Sequence, residues 1–115
     1  MTELTYRLDI FEGPLDLLLT LISKNKVKIT DIPIAMICDQ YMQYINEAQS
    51  MDLEIASEFI VMASELMLIK SKMLLPREDE DEEDPRAQLA DALLRYQQAK
   101  EASSRTVPYG VLLPN

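Results

Sequence analysis

Between Leu53 and Leu75 the chain reads LEIASEFIVMASELMLIKSKMLL, and its apolar positions recur at helical spacing. On a wheel of about 100° per residue, Ile55, Phe59, Met62, Leu66, Ile69 and Met73 form one line with alternating steps of four and three. A second line, Ala56, Ile60, Ala63, Met67, Lys70 and Leu74, lies one step around. Together they make an apolar arc of roughly 180°, against the ~100° of an ordinary surface helix. Glu54, Glu58, Glu65 and Lys72 fill a narrow polar band, and Ser57, Ser64 and Ser71 recur every seventh residue as small positions that permit close approach. Such a helix has two faces to bury. One belongs against its own domain, and the other calls for a further cover.

The rest of the chain supplies the inner cover. Leu4, Tyr6, Leu8 and Ile10 alternate with polar residues, as a half-buried strand does, and Val27 to Ile29 repeats the alternation, predicting a minor two-stranded ribbon. Pro14 suits the first position of a helix, with Asp16 favourable near its positive end. Leu15, Leu17, Leu18, Leu19, Leu21 and Ile22 then make that helix apolar nearly all round, which places it at the centre of a bundle, and Ser23 to Lys26 end it. A second helix starts near Thr30 or Asp31, with Pro33 in its first turn and Ile34, Ile37, Cys38, Tyr41, Ile45 and Ala48 as its buried stripe. The break at 49–51 is short, so the second and third helices pack as antiparallel neighbours, and Pro76 stops the third. Asp84 and Pro85 start a fourth helix with Leu89, Leu93 and Tyr96 at helical spacing. The tail SSRTVPYGVLLPN has two prolines and a glycine and reads as non-helical, either a loose end or a peptide that docks elsewhere. The predicted fold is all-α: three core helices plus a fourth after an acidic linker, with the minor ribbon. Its parts are a helical domain over 1–77, a linker over 78–84, a helix over 85–102 and a tail over 103–115.

Composition supports this reading. A chain of 115 residues with 48% hydrophobic residues and two glycines fits one helical domain. The net charge of −9 is mostly local, since Glu78 to Asp84 are seven consecutive acids that leave −2 for the remainder. That run reads as a solvated linker; with no glycine and no alternating ligand pattern, it does not match a calcium loop. Scattered basic residues disfavour direct nucleic-acid binding. No apolar run approaches a membrane span, no start resembles a signal peptide, and the lone Cys38 fits a reducing compartment, so a cytosolic protein is expected. Cys38 lies on an apolar face and reads as a packed thiol.

Catalytic chemistry has little to work with. The chain has no histidine, so His-activated nucleophiles and His-ligated zinc are excluded. Gly13 and Gly110 stand alone, which removes a glycine-rich phosphate loop, and the paired carboxylates lie in the solvated linker. No catalytic, cofactor or metal residues are assigned. An interaction module remains: exposing the first line of the third helix would forgo about 1.5–3 kcal/mol of burial per large side chain, before ordering entropy.

The segments FEGPLDLLLTLI (Phe11 to Ile22), TDIPIAMICDQYMQYI (Thr30 to Ile45) and LEIASEFIVMASELMLIKSKMLLP (Leu53 to Pro76) resemble the amino-terminal domain of the ScpA family, the segregation and condensation proteins A, which are bacterial kleisins. The acidic linker and EDPRAQLADALLRYQQAKEA are also similar to that family, so the resemblance covers residues 4–102. It implies a non-enzymatic condensin subunit of the cytoplasm and nucleoid, partnered by an SMC ATPase and an ScpB dimer, acting in chromosome partition and segregation during the cell cycle and cell division. It would reach DNA only through that complex. It also implies that the third helix, helped by the second, joins the two helices of the SMC neck. Ile55, Phe59, Met62, Leu66, Ile69 and Met73, or the line containing Ile60 and Met67, would meet the neck, and the pattern leaves the choice open. Leu89, Leu93 and Tyr96 would serve ScpB. The winged-helix end of the family lies outside this sequence, and the tail from Ser103 departs from the charged helical sequence expected there. The other readings are a helical module that homodimerises through the same face and an acidic nucleic-acid mimic.

Overall fold

The computed structural model describes residue 8 and residues 10–48, 53–76 and 83–112, with side chains described outside 53–55 and 103–112. Four α-helices make up the described fold: α1 Pro14–Lys24, α2 Ile34–Glu47, α3 Leu53–Leu74 and α4 Ala87–Leu112, with a 3₁₀ turn at Ile29–Asp31 between the first two.

Helix α1 begins at Pro14, whose missing N–H costs nothing at a position with no intrahelical acceptor. The Asp16 carboxylate accepts the Glu12 N–H at 3.1 Å and ties the entering chain to the first turn. At the other end Lys26 adopts φ 57. Its N–H donates to the Ser23 carbonyl at 3.1 Å, and the Val27 N–H donates to that of Ile22 at 3.2 Å. This pair of bonds is a Schellman ending, built on a lysine where glycine is usual.

That ending removes the expected β-ribbon. The Val27 N–H is consumed by α1, and Ile29 opens the 3₁₀ turn, so Val27 to Ile29 does not form a strand. Of the other proposed strand, Leu4 and Tyr6 lie outside the described residues. Leu8 is buried while Ile10 is exposed, and the Phe11 N–H closes a turn onto the Leu8 carbonyl at 3.1 Å. No strand occurs among the described residues.

Two helix starts also differ from expectation. Thr30 and Asp31 do not cap α2, because Ile32, preceding Pro33, is held extended at φ −74, ψ 124, and the helix begins only at Ile34. Helix α4 starts at Ala87, after a turn in which Asp84 accepts the Arg86 N–H at 2.8 Å. The tail is corrected as well, since α4 continues as helix through Pro108 and Gly110 to Leu112. Extending a nucleated helix costs little per residue, and the single proline removes one ladder bond. The acidic run falls outside the described residues except for Glu83 and Asp84.

Helix α1 is the hub and packs on α2, α3 and α4. Leu17, Leu18, Ile37, Tyr41, Phe59, Leu66 and Leu93 are almost wholly buried around it. Helix α4 closes the side formed by α1 and the 3₁₀ turn. Arg86 clamps its start, with its guanidinium bonded to Asp84 at 2.7 Å, Asp31 at 3.1 Å and the Ile32 carbonyl at 2.8 Å. Further along, Lys100 donates to the buried Asp16 at 2.6 Å and the Tyr96 hydroxyl to Glu12 at 2.8 Å.

Candidate partner-binding face

The orientation of α3 about its own axis decides which side chains remain available. Its broad apolar arc would tolerate several rotations, so specific bonds must choose among them. Tyr41 of α2 is buried, and its hydroxyl donates to the Phe59 carbonyl at 2.8 Å. Three turns on, Lys70 pairs with Asp39 at 3.3 Å. Between these two ties Phe59, Ala63 and Leu66 are pressed into the core, with Met62 and Ile69 half-buried beside them.

The opposite side of α3 is uncovered. Ile60, Val61, Met67, Leu68, Leu74 and Leu75 are 51–73% exposed. Ser57, Ser64 and Ser71 are exposed along the midline of this stripe, so the outward row Ser57, Ile60, Ser64, Met67, Ser71, Leu74 steps by three and four, as a coiled-coil seam does. The stripe is roughly 140° wide and contains no charged residue. Isolated surface leucines are ordinary, whereas a contiguous row of this kind is a candidate interaction surface.

Phe59 and Leu66 belong to the core, Met62 and Ile69 are half-buried, and Met73 is exposed near the helix end. The side chain of Ile55 lies outside those described. Ile60 and Met67 face outward. Helical spacing alone missed Val61, Leu68 and Leu75; the signal that points to them is the serine heptad, because each is adjacent to that row. Leu89 and Leu93 are buried against α1, and Tyr96 is half-buried on Glu12, so these three serve the intramolecular docking of α4.

Beside the stripe, α3 and α4 diverge over Leu15 of α1 and leave a groove of about 830 Å³, lined on its apolar side by Met62, Leu68, Ile69, Leu89 and Ala92. Among the described residues no group of three or more His, Cys, Asp or Glu side chains converges, and no helix is long and apolar enough to cross a membrane. Burial pushes the Cys38 thiol up, away from reactive thiolate. What this surface offers is apolar area at helical repeat.

Comparison with known proteins agrees with the motifs. Residues 21–106 match the family described as Segregation and condensation protein ScpA. The Segregation and condensation protein A of Listeria welshimeri is 50% identical over 111 residues, covering 90% of this chain and 45% of that protein. The protein of the same name from Caldanaerobacter subterraneus subsp. tengcongensis is 55% identical over 103 residues, covering 84% of this chain and 42% of its own. That of Halalkalibacterium halodurans is 50% identical over 111 residues, covering 90% and 43%. The chain therefore spans less than half the length of these curated relatives.

Proposed function

The chain belongs to the segregation and condensation protein A family, and from that membership we propose that it is the amino-terminal, partner-binding part of a non-catalytic kleisin subunit acting in chromosome segregation and condensation. Its task is to dock on the coiled-coil neck of an SMC ATPase through the outward stripe of α3. ATP hydrolysis belongs to the partner. An ScpB dimer is the second partner, engaged from the helix over 85–102 onward, and DNA is reached only through the complex, at the nucleoid in the cytoplasm.

The observation that carries this reading is the row of exposed large apolar side chains from Ile60 to Leu74 on α3, continued by Leu75 just past its end and set around a serine heptad. A seam stepping by three and four matches the repeat of another helix. At 22 residues, α3 is about 33 Å long, enough for three heptads of contact. The serines let the partner backbone come close while the flanking Ile, Met and Leu side chains supply the buried area. A two-helix neck fits a stripe wider than a single seam requires.

The test is co-purification with an SMC head-plus-neck fragment. Ile60→Glu with Met67→Glu abolishes binding while leaving the helical circular dichroism and the denaturation midpoint near the parent, because each side chain is more than half exposed. Full binding by this variant overturns the assignment of the face. A doubled mass in solution without the SMC fragment points instead to a module that pairs with itself. The same substitution at Leu66 tests folding, since that residue is in the core.

A further inference from the structure

The two edges of the outward stripe differ in charge. On the α2 side Lys70 is paired with Asp39 at 3.3 Å and Ala63 is buried, so that edge is closed by the protein's own contacts. On the other side Glu58, Glu65 and Lys72 recur every seventh residue, in one row about 100° from the serine midline. Glu65 and Lys72 border the α3–α4 groove, and Glu58 and Glu65 border a smaller hollow against Pro14. All three side chains are exposed, and among the described residues none of them takes part in a hydrogen bond or ion pair.

Charges one position outside an apolar seam select the partner and its direction in a coiled coil more than they add affinity. From the amino end of α3 the row reads negative, negative, positive. We infer that the partner helix lying along this edge carries Lys or Arg at two positions seven residues apart, opposite Glu58 and Glu65, and an acidic residue one heptad further, opposite Lys72. A parallel partner reads basic, basic, acidic, and an antiparallel one the reverse.

A second copy of this chain fits the row poorly. Parallel pairing sets each charge against its own kind; antiparallel pairing centred on the row matches Glu58 with Lys72 at both ends but sets Glu65 against Glu65, and sliding it by one heptad leaves Glu58 unmatched. An occupant that satisfies all three positions is a helix of a different protein, and that is the occupant assigned. The inference rests on the proposed docking of α3 on a coiled coil and assigns to that docking its specificity.

Titration of the 115-residue chain onto an SMC head-plus-neck fragment, at about 50 mM and about 500 mM salt, tests it. E58K/E65K binds about tenfold more weakly at low salt, the deficit shrinks at high salt as the charges are screened, and the helical circular dichroism is unchanged. Glu101→Lys, a reversal at an exposed position of α4, stays within about twofold of the parent. Wild-type affinity for E58K/E65K at both salts overturns the charge rule and leaves the docking reading standing. If the wild-type chain itself does not bind, or binds only a copy of itself, the docking reading falls and the charge rule with it.

Discussion

The Tyr41 hydroxyl donates a 2.8 Å hydrogen bond to the Phe59 carbonyl, a buried contact between α2 and α3. Together with the burial of Phe59 and Leu66 it ties one rotation of a helix whose hydrophobicity alone would allow several. With Phe59 turned inward, Ile60 and Val61 must face out, and the stripe at Met67, Leu68, Leu74 and Leu75 follows from the helical repeat. Burial, and then the charge of Glu65, pushes the Tyr41 phenol well above its ordinary range, so it stays a donor at any physiological pH.

Tyr41→Phe keeps the ring and deletes the donor. The expected cost is about 1 kcal/mol in urea denaturation, because a backbone carbonyl inside a helix keeps its ladder partner. SMC-neck affinity should fall by more than this stability loss implies, as α3 gains rotational freedom. A loss of stability with fully retained affinity would show that packing alone orients α3.

Adjacent residues on α3 should respond in opposite ways. Leu66→Ala opens a cavity in the core and costs about 2–5 kcal/mol. Met67→Ser changes stability by no more than about 0.5 kcal/mol, since that side chain is already 51% exposed. Thermal or urea unfolding of the two variants measures the contrast directly, and similar losses at both sites would contradict a two-faced helix.

Alkaline pH should loosen α4. Burial, and then the hydrogen bond to Glu12, pushes the Tyr96 phenol from 10.0 up to about 12. Its bond to Asp16 raises the Lys100 ammonium as well. Both groups hold their proton more tightly in the folded state, so their stabilisation is complete below the unfolded values near pH 10 and is lost as pH rises through the folded ones. The urea midpoint should therefore show no pH dependence from this pair between pH 7 and 9 and fall between about pH 10 and 12. Tyr96→Phe should flatten part of that fall.

Lys26 pays a conformational cost at φ 57 that glycine would not. Lys26→Gly should raise stability by about 0.5–1 kcal/mol, less than the full relief because glycine also loosens the unfolded chain. Lys26→Val should lower stability, since a β-branched residue resists this conformation. Equal midpoints for the three proteins would show that the α1 ending is not strained.

Docking of α4 and capture of ScpB should compete if Leu89, Leu93 and Tyr96 serve both. Lys100→Ala removes the bond to Asp16 and leaves the apolar stripe intact. It should then tighten ScpB binding in calorimetry by a few-fold, because the binding-competent, undocked population rises. Unchanged or weaker binding would place the ScpB surface elsewhere.

Much of the architecture was legible in the residues. Pro14 marked the start of α1 and Pro76 the end of α3, while the all-round apolarity of Leu15 to Ile22 put α1 at the hub. The expected ribbon did not form, because a short period-two pattern is also produced by a turn with one residue in and one out, as Leu8 and Ile10 show. The start of α2 was misplaced for a related reason: Thr30 and Asp31 are good caps, but Pro33 forbids helical geometry just before it. On α4, Leu93 was visible as part of a narrow stripe, yet its complete burial depends on Arg86, Tyr96 and Lys100 finding partners up to 84 positions away in the chain.

By itself the sequence determined that one helix carries two apolar faces, because hydrophobic periodicity is a local property and 22 residues are enough to express it. It also carried the family, through motifs that run along α1, α2 and α3. Which face turns inward was decided only by tertiary structure. Wheel geometry ranks the line through Phe59 and Leu66 beside the line through Ile60 and Met67 without choosing. The choice lies in the packing of Phe59, Ala63 and Leu66 into the core, tied by Tyr41 at the Phe59 carbonyl and Asp39 at Lys70, contacts between residues 18 and 31 positions apart that no local pattern encodes.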